Sequence, residues 1–471
     1  MLFIKKIYPY FFMLLISVTV CFTFFFNPLI EAYYQLDSSV YQYIGRLITE
    51  GYVPYKDVFD HKGPIFYLWY ALGYAIYPMT GQWILEVVCL FCGLSLIYQI
   101  ARKYISNWIF FLLSFSILLA MPSLDTIGNT ESLSFLFIFF LIFALYNFIC
   151  QGKLSLLTAV LVGFSSGCLL LIKPTHLAMA VFFCLYVFVS FLYHKQYAKL
   201  ANFSVYALVG GLVPVLGCVG WLWYHSALMD FWQDYFVFNV VYMNNFHFLQ
   251  TYTSTIFYFF KVPLVWFAFA FMLVLILNRK RYSKAECHFL GMLIISTIFS
   301  FILVVIPRNP HAHYSAMLMP MTLVLGIFVF SILKKEVAFA FGLVLFMLFR
   351  GEYVLREVSL YMRKSLYEMS VIKETADFLK FYLKEGETFS SFYNDYDTLY
   401  LYSGHKAFNK YSYTHYADMF WHDKLVETFN DDLPRFVVTK IFPYHYSLVN
   451  LSLYHYIYIN ADMVVWEKNN P

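Results

Sequence analysis

Two residues near the N-terminus have types and positions suited to chemistry on a hydroxyl group and an anion. Asp37 stands shortly after the first long apolar run, and Lys62 lies further along in the sequence "DHKGPIFYLW". An Asp at a water–membrane boundary can accept the proton of a hydroxyl group. A Lys can stabilise negative charge as it develops on a departing group. Each residue also has a structural explanation, because Asp37 can cap a helix and Lys62 can extend from an interface into water.

Two further charged residues interrupt apolar sequence at later points. Glu131 opens the run "ESLSFLFIFF", and Lys173 and His176 stand in "LLLIKPTHLAM". A charge held at such a depth is a functional hypothesis by default. Alternatively, Glu131 is an N-terminal helix residue favoured by the helix dipole, and Lys173 reaches lipid headgroups.

A basic and aromatic turn, "VIPRNPHAHYSAM", is the last candidate segment. Arg308 suits bidentate recognition of phosphate. His311 and His313 stand two residues apart on a turn without a third ligand nearby, so the pattern favours binding of hydroxyl groups or headgroups over a metal. Tyr314 completes the turn.

The composition determines the environment in which these residues work. Of 471 residues, 61% are hydrophobic and 13% are charged, about half the charged share of a soluble domain. The formal net charge of +4 does not indicate a nucleic-acid partner, and the aromatic share of 22% excludes a disordered chain. The sequence therefore predicts an all-α polytopic membrane protein in a lipid bilayer.

Apolar runs suggest about eleven transmembrane helices, because a bilayer core needs about 20 apolar residues per helix. The runs lie near residues 8–29, 82–100, 108–121, 132–149, 155–172, 176–193, 202–223, 255–277, 287–306, 316–333 and 337–349.

Basic residues occupy every second connection, which predicts a cytoplasmic N-terminus. The alternate connections are richer in acids and are predicted to lie outside. Residues 1–350 would form the membrane domain, and residues 351–471 a small extracytoplasmic α/β domain, in which "RFVVTKIF" reads as a strand. "LYLYSGHKAFNKYSY" is interpreted as a strand followed by a basic loop. The basic connections contain Lys5, Lys6, Arg102, Lys103, Lys153, Lys195, Lys199, Arg279, Lys280, Arg281, Lys284, Lys334 and Lys335.

The first outer loop is predicted to contain two amphipathic helices at the membrane surface. One begins at an N-cap within residues 37–39 and ends at Glu50-Gly51, and it is expected to lie flat on the membrane. The second begins at Pro64 and turns Ile65, Leu68, Trp69 and Leu72 towards the lipid interface. Asp37 and Lys62 would thus face one cleft.

These residues resemble the C-type glycosyltransferase (GT-C) fold, in the branch that holds the protein O-mannosyltransferases and the bacterial lipid A aminoarabinose transferases. The first loop of that branch reads Asp-Glu, then Lys-Pro-Pro-Leu-x-Tyr-Trp. Here Asp37, the segment 62–67 and Trp69 match it. Ser38 replaces the second acid, and Gly63 replaces the first proline.

The resemblance implies inverting transfer of a sugar from a polyprenyl-phosphate-linked donor to an envelope glycan, lipid or protein. It implies a multi-pass bacterial inner-membrane location and no soluble cofactor; a divalent metal is possible, although the missing second acid lowers that expectation. Asp37 would be the base and Glu131 an auxiliary acid. The donor phosphate would contact Lys62, Lys173 and Arg308, and substrate-binding residues would be His61, His176, His313 and Tyr314.

Other functions remain open at this point. A transporter or flippase of lipid-linked sugars would place ionisable residues deep within spans and contain internal repeats. A polysaccharide polymerase would use basic residues in one large outer loop. A member of the family that lost activity would serve as a scaffold.

Overall fold

A computed structural model describes the fold of the chain. It describes residues 2–22, 28, 36–122, 126–246, 251–308, 311–333, 336–392, 397–412, 423–429, 432–441 and 449–469. Asp125, a further acid of the predicted outer connections, lies outside these residues.

Helices account for most of the described chain, and each predicted apolar run overlaps one of them. Short 3₁₀ turns precede α8 and α15, at Pro174–Leu177 and Ala312–Leu318, and a π-helix, Trp232–Val237, joins α10 to α11. The α-helices are α1 (Leu2–Cys21), α2 (Leu36–Thr49), α3 (Pro64–Ile76), α4 (Gly81–Ala101), α5 (Asn107–Ala120), α6 (Thr130–Gln151), α7 (Leu156–Ile172), α8 (Ala178–Tyr193), α9 (Tyr197–Tyr224), α10 (Leu228–Phe231), α11 (Phe238–Phe246), α12 (Tyr252–Phe259), α13 (Pro263–Leu277), α14 (Lys284–Val305), α15 (Met319–Ile332), α16 (Glu336–Tyr382) and α17 (Thr398–Ser403).

The predicted count of about eleven spans is not confirmed. Among the described residues, six helices are long and apolar enough to cross a membrane, or seven if α12 and α13, bent by 89°, form one span. Helix α5 has 14 residues and is therefore only about 21 Å long, less than a bilayer core of about 30 Å. The apolar runs correctly located the helices. Several of these helices are too short to cross a bilayer.

Both helices of the first loop are present, and α3 begins at Pro64 as predicted. Helix α2 begins at Leu36, so the predicted N-cap within residues 37–39 lies inside its first turns. The predicted outward face of α3 is present only in part. Leu72 is exposed, but Ile65, Leu68 and Trp69 are half-buried and pack against the core. Helix α2 differs from the expectation of a surface helix. It packs between α3 and α17, and residues 38–47 are buried throughout, because protein covers both of its sides.

The connections between helices gather at two ends of the bundle. At one end, the Tyr104 hydroxyl donates a hydrogen bond to Glu286 at 2.8 Å, and Arg281 donates to the Ile332 carbonyl at 3.1 Å. At the other end, Lys173 contacts Glu131 at 3.1 Å. The basic connections thus lie apart from the acid-bearing ones. The cytoplasmic placement of the N-terminus stays a prediction.

A small sheet follows the helices, as predicted. Helix α16 runs through the expected boundary at residue 350 and carries the chain into the sheet region. The strand order is β1-β2-β4-β3, in which β1 pairs parallel with β2 and the other pairs are antiparallel. The strands are β1 (Phe389–Ser391), β2 (Phe436–Lys440), β3 (Tyr454–Ile459) and β4 (Met463–Lys468).

The strand predicted in "LYLYSGHKAFNKYSY" is wrong, although β2 confirms the strand in "RFVVTKIF". Residues Thr398–Ser403 form helix α17, which ends at Gly404 with φ of 78°. A short apolar run that is buried on nearly all sides does not distinguish a strand from a helix by its periodicity. Helix α17 is buried because it packs on α2 and α16.

Candidate functional site

Lys62 is held by a network of hydrogen bonds just before α3. Its Nζ atom lies 3.0 Å from Nε2 of His61 and 3.8 Å from Oδ1 of Asp60. The Tyr67 hydroxyl donates to Asp60 at 2.8 Å and accepts from the Lys62 amide at 2.8 Å. The Tyr55 hydroxyl donates to the Lys62 carbonyl at 2.8 Å. Backbone and side chain of Lys62 are thereby fixed together.

The neighbours of Asp60 and His61 in this network favour an ionised Asp60 and a neutral His61. Burial alone would raise the pKa of Asp60, but the charge of Lys62 and hydrogen bonds with His61 lower it below its usual value. Burial and the neighbouring Lys62 lower the pKa of His61. His61 is therefore neutral near pH 7, with Nδ1 facing Asp60 at 3.2 Å and Nε2 accepting from the Lys62 ammonium group.

A second charged group is built at the entrance of α6. Glu131, buried in the first turn of that helix, lies 3.1 Å from the Lys173 ammonium group and 3.5 Å from Nε2 of His176. The other nitrogen of His176 lies 2.7 Å from the Ser134 hydroxyl. The Lys173 ammonium group also lies 3.8 Å from the centre of the Tyr314 ring. Glu131, Lys173, His176 and Tyr314 are thus brought together from three separate connections.

The two lysine-bearing segments lie side by side. The Gly63 amide donates to the Ile172 carbonyl at 3.2 Å, and Lys173 ends α7 as its C-cap residue. Burial lowers the pKa of Lys173, Glu131 opposes this effect, and the positive charge of Lys62 adds to the lowering. The ammonium groups of Lys62 and Lys173 are therefore within electrostatic range of each other.

Both lysines line one cavity of about 250 Å³. His61, Glu131, His176 and Tyr314 also line it, so that one part of the wall is charged. The remaining wall is largely apolar or aromatic and comes from α11, the π-helix, the end of α14 with the residues just after it, and the 3₁₀ turn before α15. It contains Tyr235, Phe236, Val240, Tyr242, Leu303, Val304, Pro307 and Met317. A ligand with an anionic head group and an apolar chain would fit this cavity, with the head group at the charged part of the wall and the chain along the apolar part.

Asp37 lies in the first turn of α2 and is half-buried. Its negative charge acts on Lys173, on His61 and on His313. Asp37 thus belongs to the same charged cluster as the two lysines, although it does not line the 250 Å³ cavity.

A second cavity, of about 390 Å³, begins on the other side of the turn that carries His311 and His313. Lys261 and Arg350 contribute positive charge to its wall, and Tyr258 and Tyr353 contribute rings. Residues 311–314 therefore separate two cavities, and the charge of Asp37 acts on both histidines of this partition.

Arg308 is placed differently from Lys62 and Lys173, the other predicted phosphate-binding residues. Its guanidinium carbon lies 3.9 Å from the centre of the Tyr252 ring, and it does not line either cavity. It follows Pro307, which does line the first cavity. Its backbone has a φ of 52°, which turns the chain between α14 and the partition.

Two network residues were not found by sequence reasoning. Asp60 is the counter-ion of Lys62, and the signal for it was its position in "DHK". Asn239 donates to the His61 carbonyl at 2.8 Å and lines the first cavity; it stood in an aromatic segment that resembled any interfacial belt. No group of three or more His, Cys, Asp or Glu side chains within the described ranges is placed to hold a metal ion.

The fold is similar to that of ArnT from Cupriavidus metallidurans. The crystal structure of ArnT bound to undecaprenyl phosphate aligns with a TM-score of 0.62 and 14% sequence identity, covering 96% of this chain and 97% of that chain. The apo-state structure aligns with a TM-score of 0.54 and 14% identity, over 92% and 93% of the two chains. No protein-family model and no curated protein matches the sequence.

This likeness extends over nearly the whole chain. It confirms the GT-C-like fold that the first-loop residues predicted. At 14% identity, fold is what the two proteins share, and chemistry must be argued from the site itself.

Proposed function

We propose that this protein is an integral-membrane glycosyltransferase that uses a polyprenyl-phosphate-linked sugar donor. The acceptor is a glycan, lipid or protein of the bacterial cell envelope, and transfer occurs on the extracytoplasmic face. The observation that carries the proposal is the convergence of Lys62 and Lys173 on one cavity whose other walls are apolar and aromatic.

The arrangement of the two lysines supports a phosphate as their ligand. Each lysine has a buried carboxylate at its base, Asp60 for Lys62 and Glu131 for Lys173. These carboxylates place a negative charge beside each ammonium group in a site of low polarity. A donor phosphate would lie between the ammonium groups, and its polyprenyl chain would follow the apolar wall. Arg308, next to that wall, is proposed to contact the donor only after its ring contact with Tyr252 is released.

The reaction follows from where negative charge grows. Asp37 accepts the proton of the acceptor hydroxyl as the hydroxyl oxygen forms a bond to the anomeric carbon. The bond from that carbon to the phosphate oxygen breaks, and the phosphate leaves with the electron pair. Lys62 and Lys173 stabilise this charge in the transition state. Attack opposite the leaving group inverts the anomeric configuration.

The other residues have supporting roles in this proposal. His61 contacts Lys62, and His176 contacts Glu131. Both histidines line the 250 Å³ cavity, which is called the donor cavity from here on. Tyr314 covers the Lys173 ammonium group, and His313 stands in the partition between the cavities. The acceptor would approach Asp37 from the cavity lined by His311 and His313.

A binding experiment tests the donor site directly. Purified protein in detergent is titrated with undecaprenyl phosphate and, separately, with undecaprenol, which lacks the phosphate. We expect binding of the phosphate only, and a loss of about 100-fold in affinity in a Lys62→Met/Lys173→Met variant. Equal affinity for both lipids would overturn the proposed phosphate site.

Mass spectrometry of the envelope tests transfer itself. Glycans, lipids and glycoproteins are compared among wild type, a deletion strain, and the deletion strain expressing Asp37→Asn or Asp377→Asn at matched levels. Asp377 is exposed on α16, outside the site. We expect one sugar to be lost in the deletion and Asp37→Asn strains and restored by Asp377→Asn. Restoration by Asp37→Asn would exclude Asp37 as the base and favour a transporter.

A further inference from the structure

Lys410 of the C-terminal domain attaches that domain to the loop that carries Lys62. The Phe59 amide donates to the Lys410 carbonyl at 2.7 Å. The Lys410 ammonium group in turn donates to the Tyr55 carbonyl at 3.1 Å. Residue 410 therefore contacts the backbone of the loop through both its carbonyl oxygen and its side chain.

The same ammonium group reaches a third segment, the π-helix. It lies 3.1 Å from Oδ2 of Asp234 and 3.7 Å from Oδ1 of Asp230. The Asp234 side chain is fully buried, and among the described residues its Oδ1 atom has no hydrogen-bond partner. Removal of Lys410 would thus leave the buried Asp234 side chain without the cation that stabilises its charged form.

The π-helix and the helix after it form part of the donor cavity. Tyr235, next to Asp234, lines that cavity, and its hydroxyl donates to the Leu170 carbonyl at 2.7 Å. Asn239 donates to the His61 carbonyl. The segment that Lys410 anchors is therefore bonded both to the Lys62 loop and to the helix that ends at Lys173.

A separate apolar cluster surrounds this junction. Phe59 of the loop packs on Phe238 of α11 and on Tyr411, with ring centres 5.1 Å and 5.4 Å apart. Leu425, Phe429 and Val437 of the C-terminal domain belong to the same cluster, which is distinct from the main core. The Asp234 end of the Lys410–Asp234 ion pair is buried, while the Lys410 side chain is 21% exposed. Burial at the carboxylate end strengthens the ion pair.

We propose that Lys410 is a positioning residue that holds the Lys62 loop and the π-helix in register, so that the C-terminal domain completes the donor site. Lys410 acts through the backbone of Tyr55 and Phe59 and through Asp234, without touching the substrate. This inference rests on the proposed function for its effect on the donor, but its effect on the loop does not.

The test combines two measurements on the full-length protein in detergent. Hydrogen–deuterium exchange reports on peptides covering residues 51–62 without substrate, and titration reports the affinity for undecaprenyl phosphate. The variants are Lys410→Met, Lys410→Arg and Asp234→Asn, and the matched control is Lys384→Met, an exposed lysine of the same domain.

We expect Lys410→Met to increase exchange in this loop roughly tenfold and to weaken undecaprenyl phosphate binding roughly tenfold. Asp234→Asn should change exchange and affinity in the same direction but by a smaller factor. Lys410→Arg should keep both exchange and affinity close to wild type. Lys384→Met should match wild type.

Wild-type exchange and affinity in Lys410→Met would overturn the proposal, as would a change in Lys410→Met that Lys410→Arg fails to rescue. If Lys410→Met does not fold, Asp234→Asn decides: normal exchange of the loop in that variant refutes the role of the ion pair. Absence of undecaprenyl phosphate binding by wild type would refute the proposed function, whereas the exchange measurement would still test the loop.

Discussion

The Gly63 amide donates a hydrogen bond to the Ile172 carbonyl at 3.2 Å. The end of α7 lies so close to Gly63 that there is no room for a side chain at this position. A Cβ atom at residue 63 would lie 1.9 Å from the Leu171 carbonyl oxygen. The first proline of the related Lys-Pro-Pro motif could not donate this bond. Gly63 therefore explains one departure from that motif, since it brings the Lys62 loop against the end of α7.

A Gly63→Ala substitution should separate the two lysines. Because the obstacle is backbone, the loop must move, and we expect a loss of about 1 to 3 kcal/mol in the free energy of unfolding together with weaker undecaprenyl phosphate binding. Gly217→Ala is the matched control, because nothing lies within 4 Å of a Cβ atom at that site in α9. Thermal unfolding and lipid titration check both variants. Wild-type affinity in Gly63→Ala would contradict the expected coupling of the segments.

Asp37→Asn should separate chemistry from donor binding. The amide keeps the shape of the side chain but cannot accept a proton, so turnover should fall by about 10²-fold or more. Affinity for undecaprenyl phosphate should not fall, because Asp37 does not line the donor cavity and its replacement removes a negative charge that acts on Lys173. Turnover assays with membrane extracts and lipid titration measure the two effects. A parallel loss of both would assign Asp37 to binding rather than to proton transfer.

Substitutions of Lys173 and Glu131 should have non-additive effects on the free energy of unfolding. For donor binding, the loss of Lys173 should not be repaired by a change at Glu131. Lys173→Met leaves the buried Glu131 carboxylate without its closest cation, which should cost about 3 kcal/mol. Adding Glu131→Gln removes that charge and should restore much of the stability. Undecaprenyl phosphate binding should stay weak in the double variant. Additive losses of stability would show that the pair contributes little.

Asp234 should make stability depend on pH. Burial raises the pKa of Asp234 to about 7, against the opposing charge of Lys410. In the unfolded chain the pKa is about 4, so the folded protein binds this proton more tightly. The free energy of unfolding should therefore fall as the pH rises from about 4 to about 7, by up to about 4 kcal/mol.

Asp234→Asn should remove this part of the pH dependence, and Asp377→Asn, at an exposed position, should keep it. Thermal unfolding of wild type and both variants across that pH range makes the comparison. An identical slope in wild type and Asp234→Asn would show that Asp234 does not titrate there.

The second departure from the motif has a local structural account. Ser38 replaces the second acid, and its side chain is buried and hydrogen-bonds with Tyr70 of α3. A carboxylate buried at this place would lose its hydration. Ser38 thus helps to join α2 to α3, which brackets the Lys62 loop.

The sequence by itself determined the class of protein, most helix positions and the residues whose side chains are candidates for chemistry. Apolar runs report local burial, and charges within them stand out against that background, which is why Asp37, Lys62, Glu131 and Lys173 could be found. The beginning of α3 at Pro64 was equally readable, because proline suits the first turn of a helix.

Only the tertiary structure decided which of these residues meet. The pairing of Lys173 with Glu131 and of Lys410 with Asp234 joins residues far apart in the chain, and no local pattern encodes such distances. The burial of α2 and the helical form of α17 have the same cause, since each packs against the other. Arg308 had the right residue type, but the turn after α14 directs it onto Tyr252 instead of the cavity.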